Sequence, residues 1–164
     1  MPQLSRKITI KYEQCTGCRI CEIVCSLSRS NHVSHSDSRV NVYSFAPGLD
    51  IPILCVHCDQ APCIDSCPVD AIRKNEQGLV EIVDEECTGC ANCIQACPAG
   101  AIKMHPESGT AFKCDLCGGS PKCVDYCPNN AIDYRDVPFD TRVYAKKAEN
   151  IAKSLRKGLF GLEG

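Results

Sequence analysis

Sixteen cysteines in a chain of 164 residues are the side chains with chemistry to do, and each belongs to a closely spaced set. Group I is Cys15, Cys18, Cys21 and Cys25; group II is Cys55, Cys58, Cys63 and Cys67; group III is Cys87, Cys90, Cys93 and Cys97; group IV is Cys114, Cys117, Cys123 and Cys127. Groups I and III share the spacing C-x2-C-x2-C-x3-C, whereas groups II and IV widen the middle step to x4 and x5. Thiols so placed either pair as disulfides or, once ionised, hold metal. Disulfides need an oxidising compartment, and the stretch from Met1 to Lys7 has no apolar secretory segment. The expectation is a metal-binding protein of the cytoplasm.

Two metal chemistries compete. Zinc takes four thiolates from two C-x2-C pairs separated by a spacer, but in groups I and III three thiols fall within seven residues and a fourth follows after three more. One ion does not need that crowding. A run of this kind wraps three thiolates around one 4Fe-4S cluster and sends the fourth to a neighbouring cluster. Pro68, Pro98 and Pro128 directly follow the last cysteine of groups II, III and IV; with φ fixed and no amide N–H, proline turns the chain away from the ligand. Iron–sulfur chemistry is therefore preferred, and a zinc-binding interaction scaffold is the remote alternative.

The segments 67–72, 97–102 and 127–132 all read C-P-x-x-A-I and recur every 30 residues, which marks a repeated unit. Each Ala-Ile predicts entry into a short strand, and residues 8–12, 79–83 and 110–113 read as strands that deliver the chain to a ligand run. Residues 19–28 predict a helix, with Ile20, Val24 and Leu27 on one face and Cys21 one turn from Cys25. Group I lacks the following proline, and residues 26–54 read as an insertion in which residues 40–43 alternate like a strand and Pro47-Gly48 marks a turn. Gly17, Gly89 and Gly118, each beside a ligand, predict positive φ and close approach of the backbone to the cluster.

Two tempting alternatives are weaker. Ser34, His35 and Asp37 contain the residue types of a hydrolytic triad, but a polar loop offers no nucleophile elbow. His57, inside the first pair of group II, is a ligand only if it displaces a thiolate, and group II is complete without it.

Aromatic residues make up 5% of the chain and Trp is absent, so a small domain must fill its centre with something else, which metal clusters supply. Starting from a formal charge of −2, sixteen thiolates and four oxidised cores of charge +2 bring the loaded protein to about −10. The balance excludes a nucleic-acid footprint, and no apolar run is long enough for a membrane span. Four complete thiolate sets leave no iron open to substrate, so the chemistry expected is electron transfer and not catalysis. No G-x-G-x-x-G loop is present for NAD or flavin.

With these motifs in view, the chain resembles the four-cluster polyferredoxin subunits of molybdenum and tungsten oxidoreductases, carbon monoxide dehydrogenases and hydrogenases over about residues 8–135. Within them it is most similar to the small iron–sulfur subunit of tungsten-dependent aldehyde oxidoreductases. The resemblance implies an α+β fold: two pseudo-symmetric bacterial-ferredoxin-like modules, with short β-hairpins and short helices around four 4Fe-4S clusters. Groups I and IV would build one half, II and III the other, within a domain spanning residues 1–136. Cluster 1 would use Cys15, Cys18, Cys21 and Cys127; cluster 2, Cys55, Cys58, Cys63 and Cys97; cluster 3, Cys87, Cys90, Cys93 and Cys67; cluster 4, Cys114, Cys117, Cys123 and Cys25. It further implies a large catalytic subunit carrying a tungsten or molybdenum pterin, and electron exchange with a flavin or NAD-binding subunit or a soluble ferredoxin, in an anaerobic setting. Alternatives are a formate dehydrogenase or benzoyl-CoA reductase partner, or a free-standing polyferredoxin.

Residues 137–164 form a cysteine-free extension. Residues 141–160 predict one amphipathic helix, with Tyr144, Ala148, Ile151, Leu155 and Leu159 on one face and Arg142, Lys146, Lys147, Lys153, Arg156 and Lys157 opposite. Against a loaded protein of strongly negative charge, docking of this basic helix onto another subunit or a second copy is slightly favoured over packing on its own core.

Overall fold

The computed structural model describes residues 5–138 and 141–161. The first residues of the predicted main domain, 1–4, and residues 139–140 and 162–164 of the extension lie outside them.

In chain order the elements are β1 (Ser5–Ile10), α1 (Ile20–Ser30), β2 (Asn41–Phe45), β3 (Leu49–Ile53), α2 (Pro62–Asp65), β4 (Ile72–Lys74), β5 (Val80–Ile82), α3 (Asn92–Ala96), β6 (Lys103–Met104), β7 (Ala111–Phe112), α4 (Lys122–Asp125), β8 (Ile132–Val137) and α5 (Ala148–Phe160). All the pairing is antiparallel and two-stranded: β1 with β8, β2 with β3, β4 with β5, β6 with β7. The β1–β8 ladder sets Ile8 opposite Tyr134 and Ile10 opposite Ile132, joining the two ends of the cysteine-bearing chain. Helix α1 packs on α4, and α2 on α3. This small mixed fold of short hairpins and short helices matches the expected class. The strands differ between the halves, however: groups I and IV are joined by one long ladder of chain ends, whereas β4–β5 and β6–β7 are two brief local hairpins.

The repeat has a local explanation. In C-P-x-x-A, proline occupies the second position of a β-turn, closed by Gly100 N–H to Cys97 O (3.1 Å) and Asn130 N–H to Cys127 O (3.2 Å). The residue before alanine is left-handed in all three copies: Asp70 at φ 53°, Gly100 at 67°, Asn130 at 51°. Asp, Asn and Gly are the residues that tolerate this.

The insertion supplies core rather than loop alone. Val40, Val42, Ile51 and Ile53 join Ile8, Ile10, Leu116 and Ile132 in the larger of two apolar clusters. The smaller gathers Ala61, Ile72, Val80, Ile102 and Ala111.

The extension departs from the sequence reading. Instead of one helix over residues 141–160, a 3-10 turn (Thr141–Tyr144) is followed by an extended Lys147 and then α5. The break arises because the first turn is tied elsewhere: Thr141 Oγ1 donates to Val56 O (2.7 Å), Tyr12 OH donates to Tyr144 O (3.3 Å), and the two tyrosine rings meet edge to face at 6.4 Å. Ala148, Ile151 and Ala152 are buried in the larger cluster, where α5 lies on β3. The leaning towards docking in trans is thus corrected for the apolar face, which covers this chain's own core. Lys146, Lys147, Lys153 and Lys157 remain exposed, as does Leu159.

Candidate metal centres

Each group begins with a C-x-x-C loop, and the residue before its second cysteine is left-handed every time: Gly17 at φ 67°, His57 at 50°, Gly89 at 70° and Leu116 at 58°. In groups II and IV a side chain accepts the strain that glycine avoids, and both are buried. The turn lets two cysteines point to the same side. Of the glycines expected to approach the clusters, Gly17 lies against the Asp50 carboxylate and Gly89 against Gly109 O, whereas nothing lies within 4 Å of the Cβ position of Gly118.

Three cavities collect the thiols across groups. The first is lined by Cys15, Cys18, Cys21 and Cys127, with Val42 and Pro52 of the insertion in its wall. The second is lined by Cys55, Cys58, Cys63 and Cys97, with Ala145 of the extension. The third is lined by Cys67, Cys87, Cys90 and Cys93. The fourth set meets at Cys123, whose thiol is pushed up by burial and then by its neighbours Cys114, Cys25, Cys117 and Cys21.

The sets also neighbour one another. Cys123 of the fourth set interacts with Cys21 of the first, and Cys114 of the fourth with Cys55 of the second. Only Cys18 and Cys90 are exposed thiols.

Burial pushes Cys21, Cys63 and Cys114 up to about 12, with nearby Glu22, Cys55 and Cys55 respectively adding to it. Such thiols ionise only when a metal takes the place of the proton. Backbone amides are aimed to hold the resulting charge. Ala101 and Ala131 N–H donate to Cys97 and Cys127 Sγ (3.4 and 3.3 Å), within the C-P-x-x-A unit itself. Arg39, Ala111 and Leu116 N–H do so to Cys25, Cys87 and Cys114 (3.3, 3.4 and 3.4 Å). Such bonds stabilise thiolate and tune a bound cluster.

Zinc fits poorly. It needs ligands within about 2.3 Å of one point, and among the described residues no three His, Cys, Asp or Glu side chains converge to hold a single ion. Four thiols drawn from two groups around one cavity, without converging on a point, suit a larger inorganic core.

The other sequence candidates separate. His35 Nδ1 lies 3.3 Å from Glu22, Asp37 pairs with His32 at 3.0 Å, and Ser34 bonds Ser36 at 2.7 Å, so the triad is not assembled. His57 is buried with Nδ1 accepting Val80 N–H (3.1 Å). Sequence reasoning missed the buried cations Lys7 and Lys113, because a lysine within a strand or just after one carries no sign that its side chain is enclosed.

Comparison with known proteins points to the same iron–sulfur chemistry. A family model described as a 4Fe-4S dicluster domain matches residues 49–137, over half the chain, and a 4Fe-4S binding domain matches residues 12–28. The chain belongs to the 4Fe-4S dicluster domain family, a class of ferredoxin-type iron–sulfur proteins, and its four sets of thiols answer to four 4Fe-4S clusters. It is 37% identical over 84 residues to the polyferredoxin-like subunit of an aliphatic sulfonate oxidoreductase from Pyrococcus furiosus, covering 51% of this chain and 49% of that protein. It is 33% identical over 97 residues to a tetrathionate reductase subunit from Salmonella typhimurium, covering 55% and 39%. The chain thus spans half or less of these curated relatives. Among solved structures, the active site complex BamBC of benzoyl coenzyme A reductase covers 96% of this chain and 92% of that one, with 25% identity and a TM-score of 0.48. Among the described residues no helix is long and apolar enough to cross a membrane.

Proposed function

We propose that the chain is a non-catalytic electron-transfer subunit of an oxidoreductase complex, with the sixteen cysteines as ligands in the exchanged sets: cluster 1 on Cys15, Cys18, Cys21 and Cys127; cluster 2 on Cys55, Cys58, Cys63 and Cys97; cluster 3 on Cys87, Cys90, Cys93 and Cys67; cluster 4 on Cys114, Cys117, Cys123 and Cys25. When bound, the clusters supply one-electron chemistry that the thiols lack. One observation carries the reading: the thiol sets form a succession, first, fourth, second and third, and its two end sets contain the exposed Cys18 and Cys90. Cys21 and Cys123 join the first set to the fourth, Cys114 and Cys55 the fourth to the second. Cys67 and Cys97, each lining the cavity of the other's group, tie the second to the third. Val42 and Pro52 from the insertion and Ala145 from the extension wall the cavities and exclude water. The architecture thus gives electrons two surface points, Cys18 and Cys90, and insulates the path between them.

The proposed partner is a large subunit with a molybdenum or tungsten pterin. Resemblance supports an aldehyde oxidoreductase; the names of the relatives, which include sulfonate and tetrathionate enzymes, support reduction or oxidation of sulfur compounds equally well. The exposed lysines of α5 offer a surface for an acidic neighbour. Affinity purification from the native cell tests this: co-purification of a large subunit with tungsten or molybdenum is the expected result, and recovery of the chain alone with its iron makes it a free-standing polyferredoxin.

A further inference from the structure

Lys113 is a buried ammonium group next in sequence to Cys114, and it lies where two of the sets adjoin. Its residue is 5% exposed, and Nζ donates to Val80 O and to Cys114 O, the latter at 3.0 Å. Its positive charge acts on Cys63 of the second set and on Cys114 of the fourth, holding down thiols that burial pushes up. No carboxylate pairs with it among the described residues, although Glu81, Asp84 and Asp115 line the same cleft. Asp115 pairs with Arg29, and the other buried lysine, Lys7, pairs with Asp59. His57, which feels both lysines, is held neutral. An ammonium taken out of water needs a negative partner, and the thiols on which its charge acts are Cys114 and Cys63.

Resting on the electron-transfer reading above, we propose that Lys113 is the shared counter-charge of the second and fourth thiol sets and makes both easier to reduce. One electron arriving at either set adds one negative charge beside the ammonium, and no proton need accompany it. Lys113 thus acts as a positioning charge at the middle of the path, and the end sets at Cys18 and Cys90 lie beyond its reach.

The test uses the full anaerobically purified chain, with iron and sulfide per chain measured first and a redox titration followed by paramagnetic resonance. In Lys113→Met the ratio of reduced to oxidised centre at fixed ambient potential should fall about tenfold for both middle centres, which is ~59 mV for a one-electron couple, and a shift confined to one of them overturns the shared role. Lys113→Arg, which keeps the charge, should change it less than about threefold, and the end centres should not move. Full loading with unshifted potentials in Lys113→Met overturns the proposal. If Lys113→Met and Lys113→Gln both lose the middle centres while Lys113→Arg keeps four, the counter-charge is needed for loading and the proposal stands. Loss in Lys113→Arg as well assigns a packing role and overturns it. Wild-type chain without iron and sulfide defeats the electron-transfer reading itself, a result separate from any variant.

Discussion

Cys127 lies beside Cys15 in the wall of one cavity, although one thiol closes the last cysteine group and the other opens the first. The β1–β8 ladder makes this possible by fastening Ile10 opposite Ile132, a few residues from each thiol. If the two serve one centre, Cys127→Ala lowers iron from about sixteen to about twelve per chain, and adding Cys15→Ala lowers it no further. A fall to about eight in the double variant shows that they serve different centres. Iron analysis by mass spectrometry distinguishes the two.

The extension contributes stability through its buried side. Ile151→Ala should cost ~2–4 kcal/mol, since Ile151 is 5% exposed and packs among Ala148, Ala152 and the β3 strand. Leu159→Ala, at a position 55% exposed, should stay within ~0.5 kcal/mol. Urea unfolding of both variants measures the contrast, and equal effects would refute the packing in cis.

Much of this was legible in the residues. The i, i+4, i+7 pattern from Ile20 located α1, although the face it buries carries Cys21, Glu22, Cys25 and Ser26 and leaves Leu27 exposed; the Ala-Ile pairs marked the approach to β4, β6 and β8, and cysteine spacing marked the four ligand groups. What escaped depended on distant partners. β3 was not anticipated, because Leu49–Ile53 holds a proline and finds its place only against β2 and α5. The tail's break before α5 depends on Val56 and Tyr12, far away in sequence. The left-handed Gly100 and Asn130 were visible as residue types, yet their purpose, swinging the Ala101 and Ala131 amides onto cysteine sulfurs, needs three dimensions.

Two glycines of similar backbone angle should respond differently to alanine. Gly89 and Gly100 both have positive φ, but a Cβ on Gly89 meets Gly109 O at 2.5 Å, whereas nothing lies within 4 Å at Gly100. Gly100→Ala should cost ~1 kcal/mol from its backbone alone, and Gly89→Ala about 2 kcal/mol more because a carbonyl must move. Unfolding midpoints of the two variants check the order.

Burial, with the charges of Lys113 and Lys7, pushes His57 down to about 3 from its ordinary 6.5. The unfolded chain therefore takes up a proton at this site before the folded chain does. Stability from the neutral imidazole is complete above about pH 6.5 and is lost as pH falls towards 3. Replacing it by His57→Asn should remove about 1 kcal/mol of the stability lost between pH 7.5 and 5.5, with iron content unchanged. Parallel pH slopes for wild type and variant contradict a buried neutral histidine; loss of iron in the variant contradicts its exclusion from the ligands.

The central claim is that these thiols hold inorganic iron–sulfur cores, and metal and sulfide stoichiometry on anaerobically purified protein addresses it most directly. The account predicts about sixteen iron and about sixteen acid-labile sulfide per chain, with paramagnetic signals appearing on dithionite reduction. About four zinc per chain, without sulfide and silent after dithionite, would contradict it.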